Sequence, residues 1–284
     1  MSSSPTSLES RIRAAYPNLS EQERRLADVI LASPGRLATH RATELSEQAH
    51  VSKATASRFF RALGYKDFQE VRAQARKALD SGSPLYMTHQ RIATDGVGDL
   101  VQNHLQNELD NLVRTYHSLD VKSIPLIARK IARANRVVLL GYRHSYPVAA
   151  MLRRMLVHVR SRVILLPLPG DTLAESLASL DSGDIAICVD LRRHVPQMNA
   201  AVQAFVELSV PVLYIGEIIT GRAAKLATWI VRCQTTGIAV FDSASSVVSI
   251  CNLLCIMVAE ELTPGNAAFL EDIERLHAFL EELA

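Results

Sequence analysis

Apolar residues recur three and four positions apart through most of the first 80 residues, and the pattern changes further along the chain. Leu26, Val29 and Ile30 form one such stripe and predict a helix with its apolar side toward a core. Ser20-Glu21-Gln22-Glu23 ahead of it is a capping box, in which the Ser hydroxyl and the Glu carboxylate each satisfy a free amide of the first turn. Pro34-Gly35 stops that helix. A later helix begins near Asp67 and buries Phe68, Val71, Ala75 and Leu79. Residues 81–98, rich in Ser, Gly, Pro and Thr, read as a linker. Beyond it Val101, Leu105, Leu109, Leu112, Tyr116 and Leu119 alternate by four and three. That spacing predicts either a seam for another helix, such as one from a second subunit, or a face packed on the chain's own domain.

From residue 136 onward short β-rich runs alternate with helical stretches. The runs are Arg136–Tyr142, Arg162–Leu168, Asp184–Leu191, Pro211–Glu217 and Trp229–Cys233, with helical segments near 146–158, 172–180, 196–208 and 222–227. Near-continuous apolar strands alternating with helices predict a parallel sheet covered on both faces. Ligands of such sheets bind at the carboxyl ends of the strands, which points to loops 143–147, 169–172, 191–196 and 217–222.

Composition sharpens this picture. A chain of 284 residues suggests two domains at roughly 100–200 residues each. With 48% apolar and 21% charged residues, disorder and fibrous structure are excluded. The first residues lack a basic segment followed by an apolar one, so no secretory signal is read. The longest uncharged apolar stretch, Ser243–Ala259, contains four Ser and one Asn and falls short of the ~20 residues of a membrane span. Cys188, Cys233, Cys251 and Cys255 lack zinc spacing and read as small core residues. The alternative for Cys251 and Cys255, four apart, is a shared ligand face. The expectation is a soluble, cytoplasmic protein with no metal, no cofactor and no membrane partner. Net charge is only +2, yet residues 1–80 carry 13 Lys/Arg against 9 Asp/Glu, while the remainder carries 18 against 20. The positive excess is confined to the helical end.

That end contains a helix-turn-helix candidate, Ala42 to Leu63. Leu45 and Ala49 give a first helix its inner face, His50-Val51-Ser52 makes a tight turn, Ser52 caps a second helix, and Gly64 ends it. The turn usually wants a Gly at positive φ; His50 stands there, and His tolerates that region. Ala56, Phe59 and Phe60 face inward, leaving Lys53, Thr55, Ser57, Arg58 and Arg61 on the open side, with Ser52 at its start. Cations there hold phosphates while shorter polar groups touch base edges. The same pattern also fits a plain three-helix bundle with a solvated polar face.

Leu19-Ser20-Glu21-Gln22-Glu23-Arg24-Arg25-Leu26-Ala27, then Glu44-Leu45, Val51-Ser52-Lys53-Ala54-Thr55, Arg58-Phe59, Leu63-Gly64-Tyr65 and Phe68, resemble the N-terminal domain of RpiR/MurR-type transcriptional regulators. Members join it to a sugar-isomerase (SIS) domain, and residues 124–262 resemble one. The implied fold is an all-α helix-turn-helix bundle over residues 1–80, then an α/β parallel-sheet SIS domain with flanking helices over 99–284. The resemblance implies a homodimeric or homotetrameric regulator, often a repressor, whose affinity for a double-stranded DNA operator is changed by a metabolite.

SIS domains cradle a sugar phosphate with two loops. Gly141-Tyr142-Arg143-His144-Ser145-Tyr146 is similar to the first, with Ser145 matching its hydroxyl residue, and a helix N-terminus there presents free amides to an anion. The second normally reads Ser-x-Ser-Gly-x-Thr/Ser; here it is Asp190-Leu191-Arg192-Arg193-His194-Val195-Pro196. Its hydroxyls give way to cations, and Arg143, Arg192 and Arg193, with His144 and His194, predict a small anionic effector, carboxylate or phosphate. The alternative makes Arg192 and Arg193 solvated charges or subunit contacts. Ser243 is a further ligand candidate, although capping of the last long helix explains one of Ser243, Ser245 and Ser246.

Two other function classes stand beside the regulator. An SIS-type isomerase needs a positioned acid or base. His144, His194, Asp190, Asp171 and Glu217 lie near strand ends, but none forms a catalytic constellation, and no P-loop, HExxH, GxSxG or dinucleotide fingerprint occurs. No catalytic residue is therefore assigned. A ligand-free oligomerisation domain is the third reading.

Overall fold

In chain order, the described helices of the first 80 residues are α1 (Leu8–Ala15), α2 (Glu21–Ala32), α3 (Arg36–Thr39), α4 (Ala42–Gln48), α5 (Lys53–Ala62) and α6 (Phe68–Asp80). The computed structural model describes residues 8–32, 34–80, 96–191, 194–217, 222–238 and 241–282. By contacts the chain divides into two units, Met1–Leu100 with Ile238–Phe241, and Val101–Gly237 with Asp242–Ala284.

The apolar stripes of the first unit converge on Leu8, Ile12, Leu26, Ile30, Leu45, Phe59, Phe60 and Val71. The capping box forms as expected: Glu23 N–H donates to Ser20 Oγ at 3.4 Å, and Ser20 N–H donates to Glu23 Oε2 at 2.9 Å. Phe68 is only half-buried, and its ring packs 5.3 Å from that of Phe60. The Leu79 side chain lies outside the described residues. So does the predicted linker except for residues 96–98, where α7 (Val97–His117) has already begun.

Helix α7 leaves most of the expected seam exposed. Val101, Leu105, Leu109 and Tyr116 are 39–58% exposed and Leu112 is half-buried, whereas the buried residues of the helix are Asn111 and Thr115. Leu119, just beyond the helix, packs against the core of its own domain, and polar groups of α7 add to that contact. Asn107 and Asn111 each donate from Nδ2 to the Thr236 carbonyl, at 2.8 and 2.6 Å, and Gln234 N–H donates to Thr115 Oγ1 at 2.9 Å.

After α8 (Ser123–Arg133) come β1 (Val137–Gly141), α9 (Ser145–Leu156), β2 (Val163–Leu166), α10 (Leu173–Leu177), β3 (Ile185–Asp190) and α11 (Pro196–Glu207). Then follow β4 (Val212–Gly216), α12 (Arg222–Leu226), β5 (Trp229–Arg232), α13 (Ser245–Leu262) and α14 (Ala267–Leu280). The strands pair in parallel in the order β2-β1-β3-β4-β5. Alternate residues serve opposite faces, which explains the unbroken apolar runs: Leu139 and Ile187 pack with α8, α9 and α13, while Val138, Leu140 and Cys188 pack with α11. Strand order reverses beside β1, so the crevice opens where the carboxyl ends of β1 and β3 diverge.

Among the described residues α13 is long and apolar enough to cross a membrane, yet its Val247, Ile250, Cys251 and Leu254 are buried in the sheet's core. All four cysteines are free and buried. Burial pushes the Cys233 and Cys255 thiols up to about 12 and those of Cys188 and Cys251 further, which keeps them protonated and unreactive.

Before β3, the buried Asp184 takes bonds from Arg136 Nε at 2.9 Å and Nη2 at 2.7 Å, and from Asp181 N–H at 3.0 Å. Burial works to raise its pKa, but the Arg136 bonds and the amide outweigh it and hold the carboxyl below its ordinary value. A lowered folded-state pKa contributes stability that is complete above the unfolded value, about 3.9, and is lost as pH falls through the folded one. Arg136 is 26% exposed, which screens the pair. Asp184→Asn should therefore cost about 1–2 kcal/mol at pH 7 by urea denaturation. That deficit should shrink as the pH is taken below the ordinary carboxylate range; a pH-independent deficit would assign the loss to packing instead.

Candidate functional site

The turn between α4 and α5 has the geometry that a helix-turn-helix requires. His50 takes φ 52°, the left-handed conformation, so the chain reverses without a Gly. Val51 N–H reaches back to the Ser46 carbonyl at 2.9 Å. Ser52 then caps α5, accepting from Thr55 N–H at 3.1 Å. At the other end Gly64 takes φ 86°, with its N–H on the Arg61 carbonyl and Tyr65 N–H on the Phe60 carbonyl, a Schellman closure.

Ala56, Phe59 and Phe60 are buried, and Lys53, Ser57, Arg58 and Arg61 are exposed along the opposite side. Thr55 departs from the expected open face. It is buried, and its hydroxyl bonds Ser52 Oγ at 2.9 Å and Gln22 Oε1 at 3.3 Å, tying the start of α5 to α2. Ser52 is exposed but its oxygen is engaged in capping.

In the second unit, the loop after β1 folds back sharply. A Cβ on Gly141 would sit 2.6 Å from the Ser145 carbonyl oxygen, so no other residue fits there without displacing the loop. Arg143 takes φ 53° and is exposed, as is His144. Two of the amides expected to face an anion are already engaged. Ser145 N–H donates to the Tyr142 carbonyl at 2.9 Å and Tyr146 N–H to the Arg143 carbonyl at 3.2 Å, and Pro147 has no N–H. The backbone N–H groups of Arg143 and His144 make no such bond to a described residue, so they and the side chains are the donors this loop presents. Ser145 is buried, and its Oγ accepts from Leu191 N–H at 3.0 Å, joining the β1 loop to the β3 loop.

Arg192 and Arg193 lie outside the described residues. At the end of β3 the structure assembles a group that sequence reading left scattered. Asp190, buried at the end of β3, bonds His194 Nδ1 at 2.7 Å and accepts from the Tyr214 hydroxyl at 2.5 Å. Burial and then the Asp190 charge push the Tyr214 hydroxyl far above its ordinary range, so it remains a donor. Asp190 and His194 were visible as individual candidates; Tyr214 was not. Its signal was the register Cys188↔Tyr214, which puts Tyr214 on the face of β4 that Asp190, two residues beyond Cys188, shares on β3.

Ser243 also departs from expectation. Its hydroxyl donates to Glu108 Oε2 of α7 at 2.6 Å while its oxygen accepts from Ser245 N–H at 3.2 Å. Burial alone would raise the Glu108 pKa, but bonds from Ser243 and Ser245 prevail and hold it below the ordinary range. An acid therefore occupies the hydroxyl assigned to an anionic ligand. Glu217, at the end of β4, accepts from the Thr235 hydroxyl at 3.1 Å. Among the described residues no cluster of His, Cys, Asp and Glu is placed to hold a metal.

Comparison with known proteins agrees with both halves. Residues 6–82 match the helix-turn-helix domain of the rpiR family, and residues 130–257 match the SIS domain. The HTH-type transcriptional regulator HexR of Escherichia coli is 27% identical over 139 residues, covering 49% of this chain and 48% of that protein. The chain spans about half the length of the curated relatives it matches. The sugar isomerase domain of an RpiR transcription factor from Sphaerobacter thermophilus superposes with a TM-score of 0.59 at 25% identity, covering 62% of this chain and 99% of that one. The Vibrio vulnificus NanR protein, solved in complex with ManNAc-6P, has the same fold over 96% of this chain and 98% of its own, with a TM-score of 0.57 and 21% identity.

Proposed function

We propose that the chain, whose two parts match the rpiR-family helix-turn-helix domain and the SIS domain, is a cytoplasmic DNA-binding transcriptional repressor whose operator affinity is set by a small anionic metabolite. The observation that carries this reading is α5: a Ser52-capped helix behind a left-handed His50 turn, with Lys53, Ser57, Arg58 and Arg61 exposed. Those cations suit phosphates and guanine edges, and Ser57 suits a base edge.

The effector is read at the crevice between the β1 and β3 ends. Arg143, His144 and the Ser145 hydroxyl proton supply side-chain donors beside the loop amides, and His194 on Asp190 adds a ring nitrogen held in a fixed orientation. A phosphorylated sugar, the ligand class in the NanR structure, and a carboxylate both satisfy that chemistry. The exposed stripe of α7 supports self-association, because Val101, Leu105, Leu109 and Val113 are 46–58% exposed. An isomerase is disfavoured: the Asp190 carboxylate is engaged by Tyr214 and His194, and the relative reported above is named a regulator.

The test is a DNA fragment from the gene's own neighbourhood. Affinity should fall steeply with salt as phosphate contacts release counterions. Footprints should show two protected half-sites separated by about 34–36 Å or a multiple, as a two-fold oligomer requires. Binding indifferent to salt and sequence would remove the regulator reading.

A further inference from the structure

Four arginines converge away from the recognition helix, around the short α3–α4 segment of the first unit. Arg72 Nε and Arg76 Nε, both on α6, donate to the same carbonyl oxygen, that of Ala38, at 3.4 and 3.1 Å. Arg36 opens α3 and donates from Nη1 to the neutral Gln48 side chain at 3.0 Å. Arg41 stands immediately before α4, the first helix of the helix-turn-helix, and is exposed. Arg41 and Arg72 line a shallow hollow of about 510 Å³ with Thr43, Asp67, Phe68 and Gln69.

Asp67 is the one acid in that lining, against two arginines. Among the described residues no ion pair joins any of the four to a carboxylate. The acids of the same elements are turned to backbone amides: Glu44 accepts from Arg41 N–H at 2.7 Å, Glu70 from Lys66 N–H at 2.8 Å, and Asp67 from Glu70 N–H at 3.0 Å. The Nη groups of Arg72 and Arg76 make no hydrogen bond to a described residue, although Nε of each is anchored. Like charges held together in this way repel, and a partner that brings negative charge relieves the repulsion. Guanidinium forks with fixed roots and open ends match phosphate oxygens.

We propose that Arg36, Arg41, Arg72 and Arg76 form a second DNA contact, a clamp on the phosphate backbone beside the groove that α5 enters. The inference rests on the reading of this unit as a DNA binder and assigns it a sequence-independent surface. The placement agrees with the motif's mechanics, in which the first helix crosses the backbone while the second reads bases.

The experiment measures binding of the full chain to a random-sequence duplex and to the gene's flanking DNA as salt is varied. Arg36 and Arg41 are the residues to change, since Arg72 and Arg76 also brace Ala38. The R36A/R41A double variant should bind both duplexes more weakly by the same factor, and its log–log salt slope should be shallower than the parent's by about two, close to one per lost phosphate contact. R36K/R41K, which keeps the charge and tolerates the same backbone, should regain most of the slope. An unchanged slope beside a salt-dependent parent overturns the clamp and leaves the DNA reading standing. A loss confined to the flanking DNA also overturns it, because that is base readout. A parent that binds neither duplex removes both proposals.

Discussion

Replacing Arg160 with alanine should cost the second unit about 2–4 kcal/mol, more than any surface change in the chain. Arg160 is buried, and its guanidinium is spread over three carbonyls: Nη1 on Ile131, Nη2 on Ala134 at 2.8 Å, and Nε on Ser161 at 3.1 Å. Two of these acceptors lie at the end of α8, where the last carbonyls have no partner within the helix. A cation at that end also meets the negative pole of the helix dipole. Burial, and then the charge of Arg162, lower the Arg160 pKa, so the group is held by carbonyls against its own desolvation. Truncation removes the donors but leaves the carbonyls buried, and that asymmetry makes the loss large. Urea denaturation should show a lower midpoint with an unchanged slope, and Arg160→Lys should recover only part of the loss. A loss within about 0.5 kcal/mol, the range of surface substitutions, would mean that solvent reaches those carbonyls.

Arg160 also marks where reading the sequence stops. Nothing in Val157–Arg162 distinguishes a buried Arg from the exposed ones nearby, because its acceptors come from a helix end 26 and 29 residues away. Strands were different. Runs such as Val137–Gly141 and Ile185–Asp190 announce burial on both faces through local composition alone, and all five strands fall within the predicted runs. His50 was legible for a similar reason: the capped helix after it fixes where the turn must be, and the turn fixes the sign of φ.

The site was legible by place more than by residue. Crevice loops followed from the strand–helix alternation, but the Ser145 and Tyr146 amides at the start of α9 are spent on a tight turn in which Arg143 takes a positive φ. Helix α7 was legible only as two alternatives. Its apolar spacing fits a seam or an own-domain face equally, and in the structure Asn107, Asn111 and Thr115 make intradomain contacts while most of the stripe stays exposed. Periodicity reports which face a helix buries somewhere; it does not say against what. The Asp190–His194–Tyr214 group needed the β3–β4 register, which no single segment carries.

Arg58→Ala and Thr55→Val should separate recognition from support within α5. Arg58 is exposed one turn beyond the Ser52 cap, with Nε directed to the Ala54 carbonyl at 3.4 Å, and its positive charge is felt at Glu23. Loss of one bidentate base or phosphate contact is worth about 1–3 kcal/mol, so Arg58→Ala should weaken operator binding by about 5- to 150-fold. Thermal stability should stay where it was, because the side chain supports no buried group. Thr55 should behave in reverse. Its hydroxyl bridges Ser52 Oγ and Gln22 Oε1 inside the α2–α5 contact, so Thr55→Val should lower stability by about 1–2 kcal/mol. Operator affinity, measured by titration below the melting transition of both variants, should then match the parent for Thr55→Val and fall for Arg58→Ala. If Thr55→Val loses affinity at unchanged stability, α5 presents a different edge to DNA from the one its burial defines. Equal losses of stability in both variants would mean that Arg58 braces the fold, and the recognition face would then have to be rebuilt around Lys53, Ser57 and Arg61.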